Sequence, residues 1–362
     1  MEEVGLELLI SETITVEALH VYCVLKGGVG LGSSLIGLDS RHVFAIRFGD
    51  LAALVSLVPI RPYKSMKSDE VIPYLFAHQA VLDQVMKRQT VVPVKFGTMA
   101  RDEARVRRIL ESGYPQLTAA LEVMEGMIEL DLVAQWRDLF GVFQQIREDL
   151  EIKKLRAVVV APSQEETIEE RVRIGNLVKA RLDQRREALG AEIVGALKPL
   201  ALNLCPHALL DDRMILNTAF LVDRVTEGEV GEILKRLNAL YANCIDFRCV
   251  GPLPPYSFAT VEVRSFEFEE IDSARRLLGL GEQATLQDAK EAYRRLVQQC
   301  HPDLISDRGK VGQKANGAFE AATRAYRLLG EYGQVGSSFR APDVWEAVAV
   351  KLFQLSQEPA GA

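Results

Sequence analysis

The sequence predicts an α+β fold for most of the chain, with a two-domain front part and a small all-helical domain behind it, and three observations carry this. The chain has 362 residues, which at about 100 to 200 residues per domain implies two or three domains. Up to residue 270, short β-type runs alternate with amphipathic helical patterns, the mixture from which helix-covered antiparallel sheets are built. Beyond residue 270 the β-branched runs stop and helical periodicity takes over. At 48% hydrophobic and 26% charged residues, the composition is that of a folded chain and not of a disordered one.

Residues 18–26, ALHVYCVLK, read as a buried strand ending in the glycine-rich stretch 27–34. That stretch contains neither G-x-G-x-x-G nor G-K-[ST], so it reads as a tight loop and not as a phosphate cradle. Runs at 42–47 and 52–58 flank Gly49-Asp50 as a hairpin. Val71, Leu75, Leu82 and Val85 give 69–88 helical spacing, with His78 on the same stripe as a packing histidine. Pro73 falls near the helix start, where a missing N–H does least harm. A β-type run at 90–96 and helices at 103–110 and 114–124 complete an N-terminal α+β domain, residues 1–126.

A strand at 129–136 opens a second domain, residues 127–268, with helices at 140–151 and 165–200. Runs at 214–222 and 245–250 then flank a helix at 229–241, and a run at 258–263 closes the unit, the order of a ferredoxin-like sandwich. Helical patterns at 271–278, 286–300 and 315–329 define a third domain, residues 269–333. Residues 334–342 form a linker. Val344, Val348, Leu352 and Leu355 predict a final amphipathic helix over 343–357, within the segment 334–362.

Charge and cysteine content exclude several functions. Forty-three basic against 50 acidic residues leave a net charge of −7, the wrong sign for a chain that grips nucleic acid. The five cysteines are scattered without a C-x-x-C spacing, so neither a disulfide framework nor a zinc site is written; Cys244 and Cys249 read as core thiols. The beginning, MEEVGLELLISE, is acidic where a signal peptide is basic, and no apolar run exceeds the length of 51–55, so a cytoplasmic protein without a membrane span is expected. No nucleotide loop, metal cluster or paired acid and base appears, which predicts no cofactor and no enzymatic activity.

Two motifs carry the functional expectation. His301-Pro302-Asp303 directly follows the 286–300 helix, and a polar loop separates it from the next helix. Leu286, Ala289, Tyr293, Leu296 and Cys300 on one helix, and Ala315, Phe319, Ala322, Tyr326 and Leu329 on the other, form stripes that pack as an antiparallel hairpin. Lys290, Arg294 and Arg295 cluster opposite the first stripe. An open hairpin tip displays the triplet but supplies no walled pocket for acid–base catalysis. Together with Leu278-Gly279, Ala292-Tyr293-Arg294 and Ala325-Tyr326, these residues resemble the J-domain of DnaJ-type co-chaperones over roughly 271–332. The resemblance implies that His301, Pro302 and Asp303, with the basic residues Lys290, Arg294 and Arg295, engage a DnaK-type chaperone and stimulate its ATPase. Arg275 stands where that family usually has tyrosine, Leu304 follows the triplet in place of lysine, and the basic fourth helix is missing.

The second motif has two halves, Val92-Pro93-Val94-Lys95-Phe96-Gly97-Thr98 and Gly251-Pro252-Leu253-Pro254-Pro255-Tyr256-Ser257-Phe258. Three prolines remove three donors from the latter, so it reads as a stiff extended connector and not as a central strand. These stretches, with the 20–24 strand and Gly37-Leu38-Asp39, resemble the GvpL/GvpF gas vesicle protein family over about three quarters of the chain. In that family Pro93, Phe96, Gly97, Gly251, Pro252, Pro254, Pro255 and Tyr256 are the motif positions. The resemblance implies an accessory or minor structural protein of gas vesicle assembly that binds the small hydrophobic shell protein, alongside other accessory proteins, in the cytoplasm and at the vesicle. A general J-domain co-chaperone with another client, and a ligand-binding ferredoxin-like protein, are the alternatives.

Overall fold

The computed structural model of the chain describes residues 16–27, 35–159, 168–300, 310–336, 338–341 and 347–353. Its strands and helices run β1 Glu17–Lys26, β2 Phe44–Phe48, β3 Leu51–Pro59, α1 Ser68–Met86, β4 Val92–Pro93, β5 Met99–Ala100, α2 Glu103–Ser112 and α3 Tyr114–Val123. They continue with β6 Met127–Trp136, α4 Leu139–Arg147, α5 Leu150–Val159, α6 Ile168–Leu197, β7 Ala201–Pro206, β8 Met214–Asp223, α7 Glu227–Leu240 and β9 Ile245–Leu253. The last are β10 Thr260–Ser265, α8 Phe268–Leu277, α9 Leu286–Cys300, α10 Lys310–Tyr332 and β11 Val348–Phe353. Contacts group them into two compact units, one drawn from residues up to 121 together with 261–352, the other from 122–260.

In the first unit the sheet order is β2-β3-β1-β4, with β5 also on β1. β1 runs antiparallel to β3 from Glu17 opposite Pro59 to Lys26 opposite Leu51. Every residue of β1 between its ends is buried, His20 among them, as expected of a strand that is apolar on both faces at nearly every position. α1 lies against β1, and α2 lies against β2 and β3. Asp102 caps α2 by accepting from Arg105 N at 2.7 Å.

The all-helical part belongs to this same unit. Ile271, Leu278, Ala289, Ala292, Ala322, Ala325 and Leu329 meet in one core, beside which the Tyr293 and Tyr326 rings stack 4.5 Å apart. A reciprocal box starts α9: Asp288 accepts from Thr285 N, and Thr285 Oγ1 accepts from Asp288 N. Arg275 is buried, paired with Asp272 at 2.5 Å and donating to Leu280 O at 3.0 Å, so it ties α8 to the turn before α9. β10 meets the front sheet where Val94 bridges Val261 in parallel and Lys95 pairs with Glu262.

The tail differs from the expected amphipathic helix. Residues 348–353 are a strand paired with β10; the remainder of 343–357, apart from Ala347, lies outside the described residues. Val348 and Val350 also satisfy a period of two, and β-branched residues with a waiting strand edge favour extension over a short helix. Arg105 Nη2 donates to Ala347 O at 2.9 Å. A Cβ on Gly113 would come within 2.7 Å of Val350 Cγ1. Replacing Arg105 with methionine strands a buried carbonyl, a cost of ~1 to 3 kcal/mol. Amide exchange across 348–353 is expected to accelerate in that variant while α1 amides stay unchanged; unchanged exchange in the tail would contradict the anchoring.

The second unit holds an antiparallel sheet in the order β7-β8-β6-β9, with α4 to α6 between β6 and β7 and α7 between β8 and β9. That is the ferredoxin-like succession, but its members differ from the expected ones. β7 takes a place in the sheet, whereas β10, expected to close it, leaves to pair with β11. Pro199 ends the long helix earlier than its charged pattern suggests, and ALNLCP then extends as an edge strand, where Pro206 is tolerated. Leu130 and Leu132 of β6 and Phe220 and Val222 of β8 meet Leu197 of α6 and Val230 of α7 in this core.

Candidate functional site

The first motif half ends the front sheet against a buried cluster of rings. Pro93 sits opposite Cys23 on β1, and Val94 N donates to Tyr22 O at 2.9 Å. The chain then turns through Gly97 at φ 83°, a left-handed conformation that suits glycine. This turn lays Phe96 against His20, His78 and Tyr63, with centroid distances of 5.6, 5.5 and 4.9 Å. His20 Nε2 and His78 Nδ1 share one hydrogen bond of 3.0 Å, and Tyr22 stacks on His78. Burial pushes both imidazoles down, His78 to about 4 and His20, which also feels the His78 charge, to about 3. Both histidines are therefore neutral at physiological pH. Tyr22 Oη meets Ser56 Oγ at 2.7 Å and accepts from Leu38 N at 2.8 Å, fixing the Gly37-Leu38-Asp39 segment.

The second half continues β9 to Leu253, so Pro252 does enter a strand, but an edge one, while Pro254 and Pro255 follow its end as a connector. The register to β6 slips between Asp131, opposite Val250, and Glu129, opposite Leu253, placing Gly251 and Pro252 across from Leu130 as a bulge. The Gly251-Pro252 peptide is cis. Pro254 and Pro255 are buried and Tyr256 is half-buried. Ser257 N and Oγ donate to the two oxygens of Glu129 at 2.8 and 2.7 Å. Burial pushes the Glu129 carboxyl up to about 7 against the pull of those bonds, and Asp131 adds to the rise.

Ser257 Oγ also lies 3.2 Å from His207 Nε2, and His207 Nδ1 lies 3.8 Å from Cys205 Sγ. With the Ser257 hydroxyl donating to Glu129, its oxygen accepts from His207 Nε2. In this arrangement the set fastens the connector to the sheet. Sequence patterns missed Glu129 and His207, which lie 128 and 50 residues from Ser257 in the chain.

In the helical part Lys290, Arg294 and Arg295 are exposed on α9, opposite buried Ala289 and Ala292. His301, Pro302 and Asp303 lie outside the described residues, as do Leu304 and most of the glycine-rich stretch. Cys244 and Cys249 are not core thiols: both are exposed, one in the turn before β9 and one on that edge strand, while Cys23 and Cys205 are buried. Among the described residues no three His, Cys, Asp or Glu side chains are grouped to hold a metal, and no helix is long and apolar enough to cross a membrane.

The model of the gas vesicle synthesis protein GvpL/GvpF family matches residues 18–260. The chain belongs to that family. Gas vesicle protein F of Nostoc sp. is 24% identical to this GvpL/GvpF chain over 248 residues, covering 67% of it and 98% of the relative. Gas vesicle protein F of Streptomyces sp. is 28% identical over 226 residues, covering 62% and 90%. The crystal structure of GvpF from Anabaena sp. has the same fold, with a TM-score of 0.58 at 23% identity over 67% of this chain and 97% of that one. A DnaJ domain model matches residues 276–333, beyond the GvpL/GvpF region. Both motif halves fall inside the GvpL/GvpF match, and the basic residues of α9 inside the DnaJ match.

Proposed function

We propose that this chain is a gas vesicle assembly factor that binds the hydrophobic shell protein through its GvpL/GvpF region and brings a DnaK-type chaperone to it. The observation that carries this reading is the presence of both family matches, 18–260 and 276–333, in one polypeptide. Apolar surface exposed before polymerisation is an aggregation hazard, so a binder joined to a chaperone recruiter suits such a client. The protein acts by binding and not by catalysis, in the cytoplasm and at the growing vesicle, beside other accessory proteins. His301, Pro302 and Asp303 contact the chaperone, and Lys290, Arg294 and Arg295 steer it.

The test adds the full chain to a DnaK-type chaperone and follows ATP turnover, while shell-protein capture is measured in parallel. Wild type is expected to stimulate turnover and Asp303→Asn to lose most of that effect, since removing one partner of a buried interfacial charge pair costs ~2 to 5 kcal/mol. Arg294→Glu is expected to slow association and alter its salt dependence. Shell-protein capture should survive both substitutions. Absent stimulation by wild type would remove the chaperone half, and absent capture would remove the client half.

A further inference from the structure

One cavity in the second unit lies apart from both motifs. It measures about 400 Å³ and opens where β6 ends and β9 begins, between α4, α6 and the turn before β9. Trp136, Val142, Leu189, Tyr241 and Ile245 give it an apolar lining. Its volume falls within the ~300 to 1,000 Å³ of clefts that bind small molecules.

The lining carries two charged side chains. Arg185 stands on the same lining, its Nη1 held by Gln145 Oε1 at 3.0 Å, and a guanidinium carries further N–H groups suited to a carboxylate. The acid on the lining, Asp138, is engaged as the α4 cap, Oδ1 accepting from Gly141 N at 2.9 Å. The Tyr241 phenol is hydrogen-bonded to Glu192.

We propose that this cavity binds an apolar carboxylate, its hydrocarbon body against Trp136, Leu189 and Ile245 and its carboxylate on Arg185. A free small acid and the carboxyl terminus of a polypeptide share this chemistry. The site goes beyond the assembly role and does not depend on it.

The chain has two tryptophans, so Trp345→Phe in the full-length protein leaves Trp136 as the only indole emitter. Titration with octanoate and with a leucine-terminated tetrapeptide acid, each beside its amide, reads the site. A saturable change in emission is expected with at least one acid, roughly tenfold or more weaker with its amide. Arg185→Gln should erase the difference between acid and amide. Ala188→Phe, at an exposed position on the lining, should abolish the response by filling the cavity. The exposed Cys244 thiol, also on the lining, should react more slowly with a thiol reagent in the presence of the acid, read with Cys249→Ser and Cys300→Ser. Response to octanoate alone assigns the site to small acids, and response to the peptide alone assigns it to a chain terminus. No saturable response to either acid, equal response to acid and amide, or a response that survives Ala188→Phe would overturn the proposal.

Discussion

Replacing Gly251 with alanine is expected to destabilise the second unit by ~2 to 4 kcal/mol, one of the largest effects of any single methyl group added to this chain. The bulge on β9 brings Gly251 onto the central strand, where a Cβ would sit 2.8 Å from Glu129 O and 2.5 Å from Leu130 Cδ2. Leu130 is buried and Glu129 O belongs to the backbone of β6, so neither neighbour moves without disturbing the sheet. The residue also has φ 155°, outside the usual range for a side chain. The same substitution at Gly175 serves as the control. It lies in α6 with nothing within 4 Å of the added carbon, so alanine there should stabilise by ~0.5 to 1 kcal/mol. Urea midpoints of the two variants moving in opposite directions are the expected result. A Gly251→Ala midpoint equal to wild type would mean that the connector is not seated on β6 as described.

The contrast between these glycines marks what local sequence can carry. Period and composition were enough to locate β1, the β2-β3 hairpin, α1 and the α9-α10 pair, because each buries one continuous apolar face. They were not enough for β7, since its six residues follow directly on a long charged helix. Nor did they place β11, whose apolar residues fit either period until β10 is present to pair with it. The family stretches were visible as strings, yet their physical content came from distant partners. Phe96 completes the cluster around His20 and His78, and Ser257 meets Glu129 and His207. Arg275 departs from the tyrosine usual in J-domains, and its burial and bonds to Asp272 and Leu280 give it a structural task that no motif states. The Trp136 cavity is lined from residues 136 to 245, a juxtaposition that only the closed sheet creates.

Acidification from about pH 7.5 to about pH 5 is expected to weaken the first unit and strengthen the second, because their buried titratable groups are shifted in opposite senses. His20 and His78 are buried, with pKa values lowered from 6.5 to about 3 and about 4. Their unfolded forms take up protons first, so the stability they hold is full above about pH 6.5 and is lost as the pH falls toward their folded values. At ~1.4 kcal/mol per unit of pKa difference, each contributes roughly 3 to 5 kcal/mol when the loss is complete. Only one proton fits between His20 Nε2 and His78 Nδ1, so a second meets both desolvation and a like charge. Glu129 behaves conversely: its pKa is raised from 4.5 to about 7, so the advantage of its neutral form is present below about pH 4.5 and is lost as the pH rises through about 7. Hydrogen exchange read peptide by peptide separates the two responses. From about pH 7.5 to about pH 5, after correction for the intrinsic rate, protection should fall in β1 and α1 and rise in β6 and β8. His78→Leu should reduce the response of the first unit to the part that burial of His20 supplies, without touching the second. Parallel loss of protection in both units, or a first unit indifferent to pH until the ordinary carboxylates titrate near pH ~4, would show that the histidine pair does not set the acid limit of this fold.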